Sequence, residues 1–169
     1  MREKGSGLSA QGWDHDREGW IDRYEAKDFS DPEHLDHNNG DGTFSDVLEQ
    51  AMPYTSWSSM GADCADLNND GLLDLFVADM AATSHYKSKV TMGDMGDRRW
   101  FLENAWPRQI MRNNLFLNTG TARFMETAFL CGLAGTDWPW AIKLADLDNY
   151  SRVDVFVTNG ASRMNTDGD

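Results

Sequence analysis

A nine-residue acidic segment occurs three times in this 169-residue chain, and it limits the possible fold more than any other feature. The copies are Asp14–Asp22, Asp66–Asp74 and Asp146–Asp154, and each has oxygen-bearing side chains at positions 1, 3 and 9. The first two copies add one at position 5 and a glycine at position 6. Carboxylates this close repel one another by roughly 1 kcal/mol per pair at 4 Å in water. The pattern therefore indicates a bound cation.

The three loops contain 10 of the 28 acidic residues of the chain. Hard oxygen ligands at alternate positions, with a glycine at the sharp turn, favour Ca²⁺. Mg²⁺ fits less well because it requires a stricter octahedron and keeps more of its water. The alternative is that the segments are solvated acidic turns, since Asp, Asn and Gly favour turns without any metal.

The loops do not have the EF-hand pattern, which requires a bidentate Glu at position 12 and a helix on each side. Position 12 is Glu25 in the first copy but Val77 and Val157 in the other two. The runs Leu73–Val77 and Val153–Val157 are β-branched and aromatic, which is typical of strands. Each loop is therefore predicted to join two strands.

A second motif also recurs, as Asn38–Phe44 and Asn118–Phe124. Asn-Gly and Asp-Gly pairs are strong hairpin signals because both residues tolerate a positive φ. Each copy follows a strand-like segment, of which Leu115–Leu117 is the clearest. The repeating unit is then strand A, acidic loop, strand B, strand C, turn and strand D. Four antiparallel strands of this kind form one propeller blade.

The acidic loops start at residues 14, 66 and 146, so the second spacing is 28 residues longer than the first. All of this extra length lies between strands B and C of the second unit. The predicted fold is all-β: a partial β-propeller of about two and a half four-stranded antiparallel blades, with one inserted, partly helical segment. The predicted boundaries of the single 1–169 fragment are 8–50 for blade 1, 57–130 for blade 2 with the insert 81–112, and 138–169 for an incomplete blade 3.

Propellers close with ~4–8 blades. We therefore expect the remaining blades to come from a longer parent chain, or the fragment to depend on a partner. The insert has six basic and three acidic residues, and 99–106 could form a short helix ended by Pro107. It is either a flap that binds a partner or a cap whose basic side chains offset the acidic blades.

Seven tryptophans suggest stacking on sugar rings, but three of them lie just before strand A, which favours core packing: Trp57, Trp138 and Trp140. The four histidines share no face that would make a metal cluster, so ordinary surface positions are expected for His15, His34, His37 and His85. By strand parity, His15 faces away from the loop ligands. A disulfide between Cys64 and Cys131 stays open as an alternative.

Several function classes are excluded by composition. The chain has 28 acidic against 15 basic residues and a net charge of −13, which argues against nucleic-acid binding. It has no apolar run of ~18 residues for membrane insertion. Its start has no apolar signal-peptide core. It also has no nucleophile elbow, Walker loop or zincin helix, so we expect no catalytic residues and no enzyme activity.

The acidic loops and the Asn38–Phe44 turn resemble FG-GAP/VCBS repeat proteins, which include integrin α-subunit propellers. The segments Ser59–Asp63 and Thr158–Gly160 resemble the ASPIC/UnbV branch, the family of cartilage acidic protein. The resemblance implies a seven-bladed type of propeller, secreted or located at the cell surface or in the periplasm, with structural Ca²⁺ in the A–B hairpin loops. It also implies a ligand set of side chains plus the backbone carbonyl at position 7. These residues are Asp14, Asp16, Glu18, Trp20 and Asp22; Asp66, Asn68, Asp70, Leu72 and Asp74; and Asp146, Asp148, Arg152 and Asp154.

The chain departs from the family pattern at four places. Glu18 stands where Asp is usual, Tyr150 replaces an Asp, and Ser151 replaces the turn glycine. A positive φ at Ser151 would cost about 1 kcal/mol or more. The first strand B, Asp22–Ala26, has no apolar run, so we expect a weakened strand there.

Two function classes follow from this pattern. The first is a non-enzymatic extracellular scaffold for adhesion or protein interaction, stiffened by Ca²⁺, with a protein or glycan as its partner. The second is a segment of a carbohydrate-active propeller enzyme, of the polysaccharide lyase or hydrolase type, or a sugar-binding module. Exposed Trp faces beside a groove of Tyr, His or Arg would favour the second class.

Overall fold

The computed structural model describes residues 6–28, 31–87, 104 and 106–160. These residues form two four-stranded antiparallel sheets, a two-stranded antiparallel sheet and a two-stranded parallel pair. The elements are β1 (Ser6–Trp13), β2 (Asp22–Asp28), β3 (His34–Asn38), β4 (Phe44–Asp46), α1 (Leu48–Ala51), β5 (Thr55–Ser56), β6 (Ser59–Ala65), β7 (Asp74–Asp79), β8 (Gln109–Ile110), β9 (Asn114–Asn118), β10 (Phe124–Glu126), β11 (Pro139–Ala145) and β12 (Asp154–Asn159). The predicted all-β fold, a partial propeller, is confirmed.

The same strand order recurs in the two large sheets. The first sheet is β1-β2-β3-β4 and the second is β6-β7-β9-β10, so each is a meander of neighbouring strands. The third sheet pairs β11 with β12. The acidic loops join β1 to β2, β6 to β7 and β11 to β12, as predicted. The two Asn-Gly-type turns join β3 to β4 and β9 to β10.

The first strand of each sheet also repeats an irregularity. The register shifts between Gly7 and Ser9 in β1, between Ser59 and Gly61 in β6, and between Pro139 and Ala141 in β11. In each hairpin, the last residue of the first strand pairs with the ninth residue of the acidic loop. The register shift lies between the residues six and four positions before that last residue in all three hairpins. The repeat therefore extends to backbone detail.

The second sheet lies between the other two, and β7 contributes to the cores on both of its faces. Leu75 and Val77 join the cluster that contains Trp13 of the first sheet. Phe76, between them in sequence, joins the cluster that contains Leu144 of the third sheet. Each such buried side chain stabilises the fold by about 1.5–3 kcal/mol. A continuous apolar run is therefore required in β7.

Among the described residues, the first sheet packs into a core on one face only, and this explains the sequence of β2. Tyr24 and Ala26 are fully buried, whereas Arg23 is exposed and Glu25 is half-buried. The alternation fits a strand with one open face. The strand has seven residues and pairs on both sides, with β1 and β3. The expectation that this strand is weakened is wrong.

The structure confirms one prediction about the tryptophans, contradicts another, and decides whether the two cysteines form a disulfide. Trp57 is 1% exposed, which confirms its core position, but Trp140 is 52% exposed. The Trp140 ring covers Gly160 beyond the end of β12, and its Nε1 donates to the Gly160 carbonyl at 2.8 Å. The Trp140 core prediction is therefore wrong. Cys64 and Cys131 are free, so they do not form the disulfide left open above.

Much of the predicted insert 81–112 lies outside the described residues, including most of the predicted helix at 99–106. The flap and cap interpretations of the insert therefore stay predictions. Near its end the insert forms β8, which pairs in parallel with β5 and was not predicted. Both strands of this pair have two residues.

Two carboxylates are fully buried beside this pair, Glu33 and Asp79. Asp79 Oδ2 accepts hydrogen bonds from the backbone N–H groups of Trp57 at 2.7 Å and Ser58 at 3.0 Å. Glu33 accepts one from the Ser59 hydroxyl. Burial raises the pKa of Glu33 to about 7 and that of Asp79 to about 6. The hydrogen bonds act to lower both pKa values, but they offset only part of the effect of burial.

The raised pKa values predict an unusual pH dependence. The folded state holds protons on Glu33 and Asp79 more tightly than the unfolded state, so the free energy of unfolding should rise as the pH falls from 8 to about 5. Glu33→Gln should flatten this rise, because it removes one titrating group. Urea unfolding at several pH values measures the effect. Glu49→Gln, at an exposed glutamate, is the control, and a slope unchanged by Glu33→Gln would contradict the prediction.

Candidate metal centres

The three acidic loops fold around the same hydrogen bonds. In each, the N–H of residue 5 donates to the carboxylate of residue 1 and to the side-chain oxygen of residue 3, and the N–H of residue 6 donates to the second oxygen of residue 1. The first of these bonds joins Glu18 to Asp14 at 3.0 Å, Asp70 to Asp66 at 3.0 Å, and Tyr150 to Asp146 at 3.1 Å. The predicted loops are thus one structure repeated three times.

This structure requires a left-handed backbone at residues 4 and 6. Residue 4 is Arg17, Asn69 or Asn149, with φ between 59° and 65°. Residue 6 is glycine in the first two loops, but in the third it is Ser151 with φ 61°. The predicted positive φ at Ser151 is confirmed. A side chain strains this conformation, since its Cβ crowds the backbone.

The aspartate at position 9 ties each loop to the strands around it. Its Oδ2 accepts the N–H of residue 2 at 2.9, 2.9 and 3.0 Å in the three loops. In the first two sheets its Oδ1 also accepts the N–H of the asparagine that ends the third strand. Those bonds join Asp22 to Asn38 at 2.8 Å and Asp74 to Asn118 at 2.9 Å. The acidic loop and the Asn-Gly-type turn are therefore directly connected.

The third loop brings three carboxylates together. Asp146, Asp148 and Asp154 each offer an oxygen, and these oxygens all lie within 4.8 Å of one another. Tyr150, at position 5, supplies no carboxylate and is exposed. The set at positions 1, 3 and 9 therefore fits a cation even without the usual residue at position 5.

The second loop differs because position 3 is an amide. The Asn68 Nδ2 donates to Asp70 Oδ2 at 2.9 Å, and Asn68 Oδ1 accepts the Asp70 N–H. Burial raises the pKa of Asp74 despite its hydrogen bonds from Asn118 and Leu67, and the nearby charges of Asp70 and Asp66 raise it further. These carboxylates therefore repel one another, as expected for acidic groups this close in sequence.

The first loop forms a different cluster. Ligand atoms of His15, Asp16, Asp22 and His37 lie within 4.8 Å of one another, whereas the predicted ligands Asp14 and Glu18 are not members of this group. His15 is only 2% exposed, so the expectation that it is a surface residue is wrong. Its Nδ1 lies 2.5 Å from Asp22 Oδ2.

The His15 ring reverses the electrostatics of the ninth residue. Burial acts to raise the pKa of Asp22, but hydrogen bonds from the Asn38 and His15 N–H groups and from the His15 ring bring it below the ordinary value of an aspartate. Asp74 has the same two backbone donors but no histidine, and its pKa is raised. The first loop is thus electrostatically unlike the second.

Sequence reasoning missed both histidines of this cluster. The expectation that His15 faces away from the loop ligands is wrong, because its ring lies 2.5 Å from Asp22, across the hairpin, and within 4.8 Å of Asp16. His37 belongs to β3 and approaches the loop only because β3 pairs with β2. One signal was available in the sequence: His15 and His37 occupy the repeat positions of Leu67 and Leu117.

In the first two loops, the side chain of the predicted carbonyl ligand at position 7 packs on the neighbouring turn. The Trp20 ring lies against Gly40, where an added Cβ would be 2.8 Å from the indole Nε1, and Leu72 lies against Gly120. Arg152 is exposed. The carbonyls of Trp20, Leu72 and Arg152 stay predicted ligands.

Comparison with known families agrees with the repeat geometry. Residues 14–77 match the model of the FG-GAP-like repeat, which supports the FG-GAP/VCBS repeat resemblance. This range begins at the first acidic loop and ends within β7. No curated protein matches the chain. Among the described residues, no helix has the length and apolar character needed to cross a membrane.

The strain at Ser151 predicts two opposite effects. Ser151→Gly should raise the free energy of unfolding by about 0.5–1 kcal/mol, because relief of the positive φ exceeds the added entropy of the unfolded chain. Gly71→Ser, the matched change in the second loop, should lower it by about 1 kcal/mol or more. Urea unfolding in chelator measures both without metal effects. Destabilisation by Ser151→Gly would contradict the prediction.

Proposed function

We propose that this protein is a calcium-binding repeat module of the FG-GAP/VCBS type that serves as an extracellular scaffold for adhesion or protein interaction. The observation behind the proposal is the repeated loop geometry, which in the third loop brings three carboxylate oxygens within 4.8 Å of one another. In the described part of the chain, no Lys or Arg forms an ion pair with the predicted ligands of the second and third loops. A divalent ion would supply the missing positive charge.

The donor sets of these two loops suit Ca²⁺. Both consist of oxygen atoms, and Ca²⁺ takes 6–8 oxygen ligands in flexible geometry. The second loop would use Asp66, Asn68, Asp70, Asp74 and the Leu72 carbonyl. The third loop would use Asp146, Asp148, Asp154 and the Arg152 carbonyl. Having one side-chain ligand fewer, the third loop is expected to bind more weakly.

Calcium would have a structural role in this proposal. The ninth aspartate of the second loop holds both the loop and the end of the third strand of its sheet, so an ion bound there would stiffen the hairpin and the adjoining turn. Binding to the folded state alone stabilises it by RT ln(1 + [Ca²⁺]/Kd). Extracellular calcium modules commonly have Kd values of about 10⁻⁴–10⁻³ M.

The proposed location and role rest on the family likeness. FG-GAP repeats are typical of extracellular or surface proteins and are generally not catalytic. The likeness of Ser59–Asp63 and Thr158–Gly160 to the ASPIC/UnbV branch supports the same location. Within this proposal the partner is another protein or a glycan.

Calcium should raise the melting temperature of the protein, and Asp70→Ala should remove most of that increase. Asp70 is exposed and holds the Leu72 N–H at 2.9 Å, so its replacement affects the loop and not the core. Thermal unfolding with Ca²⁺ and with chelator measures the difference.

Glu49→Ala is the control for this experiment, because it removes an exposed carboxylate outside the loops. It should keep the full response to calcium. An equal response of the wild type and Asp70→Ala would count against the second loop as a calcium site. A wild type that melts identically with Ca²⁺ and with chelator would overturn the calcium proposal.

A further inference from the structure

The first repeat contains a group of ligands that the second repeat does not have. His15 and His37 stand where the second repeat has Leu67 and Leu117. Those leucines are partly buried and pack against the core between the second and third sheets. In the first repeat, two imidazole rings take these places and face carboxylates instead.

The His37 ring is aimed at two of these carboxylates. Its Nδ1 lies 3.3 Å from Asp16 Oδ2 and 3.3 Å from Asp22 Oδ1. This nitrogen is buried, and it has no hydrogen-bond partner among the described residues. A buried ring nitrogen normally has a partner, so its position here needs an explanation.

Two of the distances in the cluster match those of a tetrahedral metal site. With Zn–N and Zn–O bonds of about 2.0–2.2 Å, neighbouring ligand atoms of a tetrahedron lie about 3.3–3.5 Å apart. The separations of His37 Nδ1 from Asp16 and Asp22 agree with this value. His15 Nδ1 lies closer, at 2.5 Å from Asp22 Oδ2, as a hydrogen-bonded pair. A metal ion would take the place of the proton shared by this pair.

The cluster is held rigidly on one side and is open on the other. His15 is buried and stacks on Phe124 of the second sheet, with ring centroids 6.2 Å apart and planes 19° from parallel. Asp16 and His37 are half-buried, so an ion can reach them from solvent. The two carboxylates balance the charge of a divalent ion.

We propose that His15, Asp16, Asp22 and His37 bind a transition-metal ion of the Zn²⁺ class. Two imidazole nitrogens and two carboxylate oxygens suit Zn²⁺, whereas Ca²⁺ prefers six or more oxygen ligands. The inference is linked to the proposed function at one point: Asp16 and Asp22 are also predicted calcium ligands. It assigns the first loop a different ion from the second and third loops.

The test is titration of the tag-free protein with ZnCl₂ by calorimetry in saturating Ca²⁺. The key variant is His15→Leu/His37→Leu, because leucine is the residue that the second repeat has at both positions. The wild type should bind one Zn²⁺ that Ca²⁺ does not displace, and the variant should bind it at least about tenfold more weakly. Co²⁺ absorption bands typical of tetrahedral coordination should appear with the wild type alone.

His34→Gln is the matched control, because His34 pairs with Asp46 at 2.6 Å outside the cluster. It should bind Zn²⁺ as the wild type does. Single His37→Leu, a change at a half-buried position, repeats the test with less effect on the core. Equal Zn²⁺ affinity in the wild type and in His37→Leu, or equal losses in His37→Leu and His34→Gln, would overturn the proposal.

The calcium proposal and the zinc proposal can be tested independently of each other. Asp70→Ala should reduce the calcium response and leave Zn²⁺ binding unchanged. Zn²⁺ binding that depends on His37, in a protein that Ca²⁺ does not stabilise, would support this inference and contradict the proposed calcium function.

Discussion

The carboxylate of the ninth loop residue holds each repeat together. In the first two sheets, Asp22 and Asp74 accept one N–H from within the acidic loop and one from the asparagine that ends the third strand. Hydrogen bonds to a charged group contribute about 1.5–3 kcal/mol each. The two sequence motifs of the repeat are therefore halves of one structure. Asn118 extends it, since its Nδ2 donates to the His15 carbonyl of the first sheet at 2.7 Å.

The packing of the sheets decides what each strand must contain. The second sheet has a core on each face, and Leu75, Phe76 and Val77 are apolar in succession as a result. In the part of the chain that the structure describes, the first sheet has one open face, so β2 alternates and still forms a full strand. Judging β2 by the apolar run of β7 led to the wrong expectation, because equivalent strands of two repeats need not have the same number of buried faces.

Local signals made most of the fold predictable. Residues close in sequence determine the acidic loops, their flanking strands and the positive φ at Ser151. Comparison of the three copies showed which positions of the loops and strands are equivalent. The β5–β8 pair was not predictable, because two-residue strands from distant segments have no periodicity to detect. The histidine cluster was missed for a related reason. Parity along one strand compares His15 with Asp14 and Asp16, whereas its neighbours Asp22 and His37 come from across the hairpin and from the next strand.

The asparagine amides that bond to the ninth aspartate have a consequence for local motion. Strand termini usually open first, and their amide hydrogens exchange quickly with solvent. Asn38 and Asn118 are the last residues of their strands, but their N–H groups donate to the buried carboxylates of Asp22 and Asp74. Each of these carboxylates also accepts an N–H from the acidic loop. Fraying of these sheets should therefore begin at the short outer strands β4 and β10, and the ends of β3 and β9 should exchange as slowly as residues in the centre of a sheet.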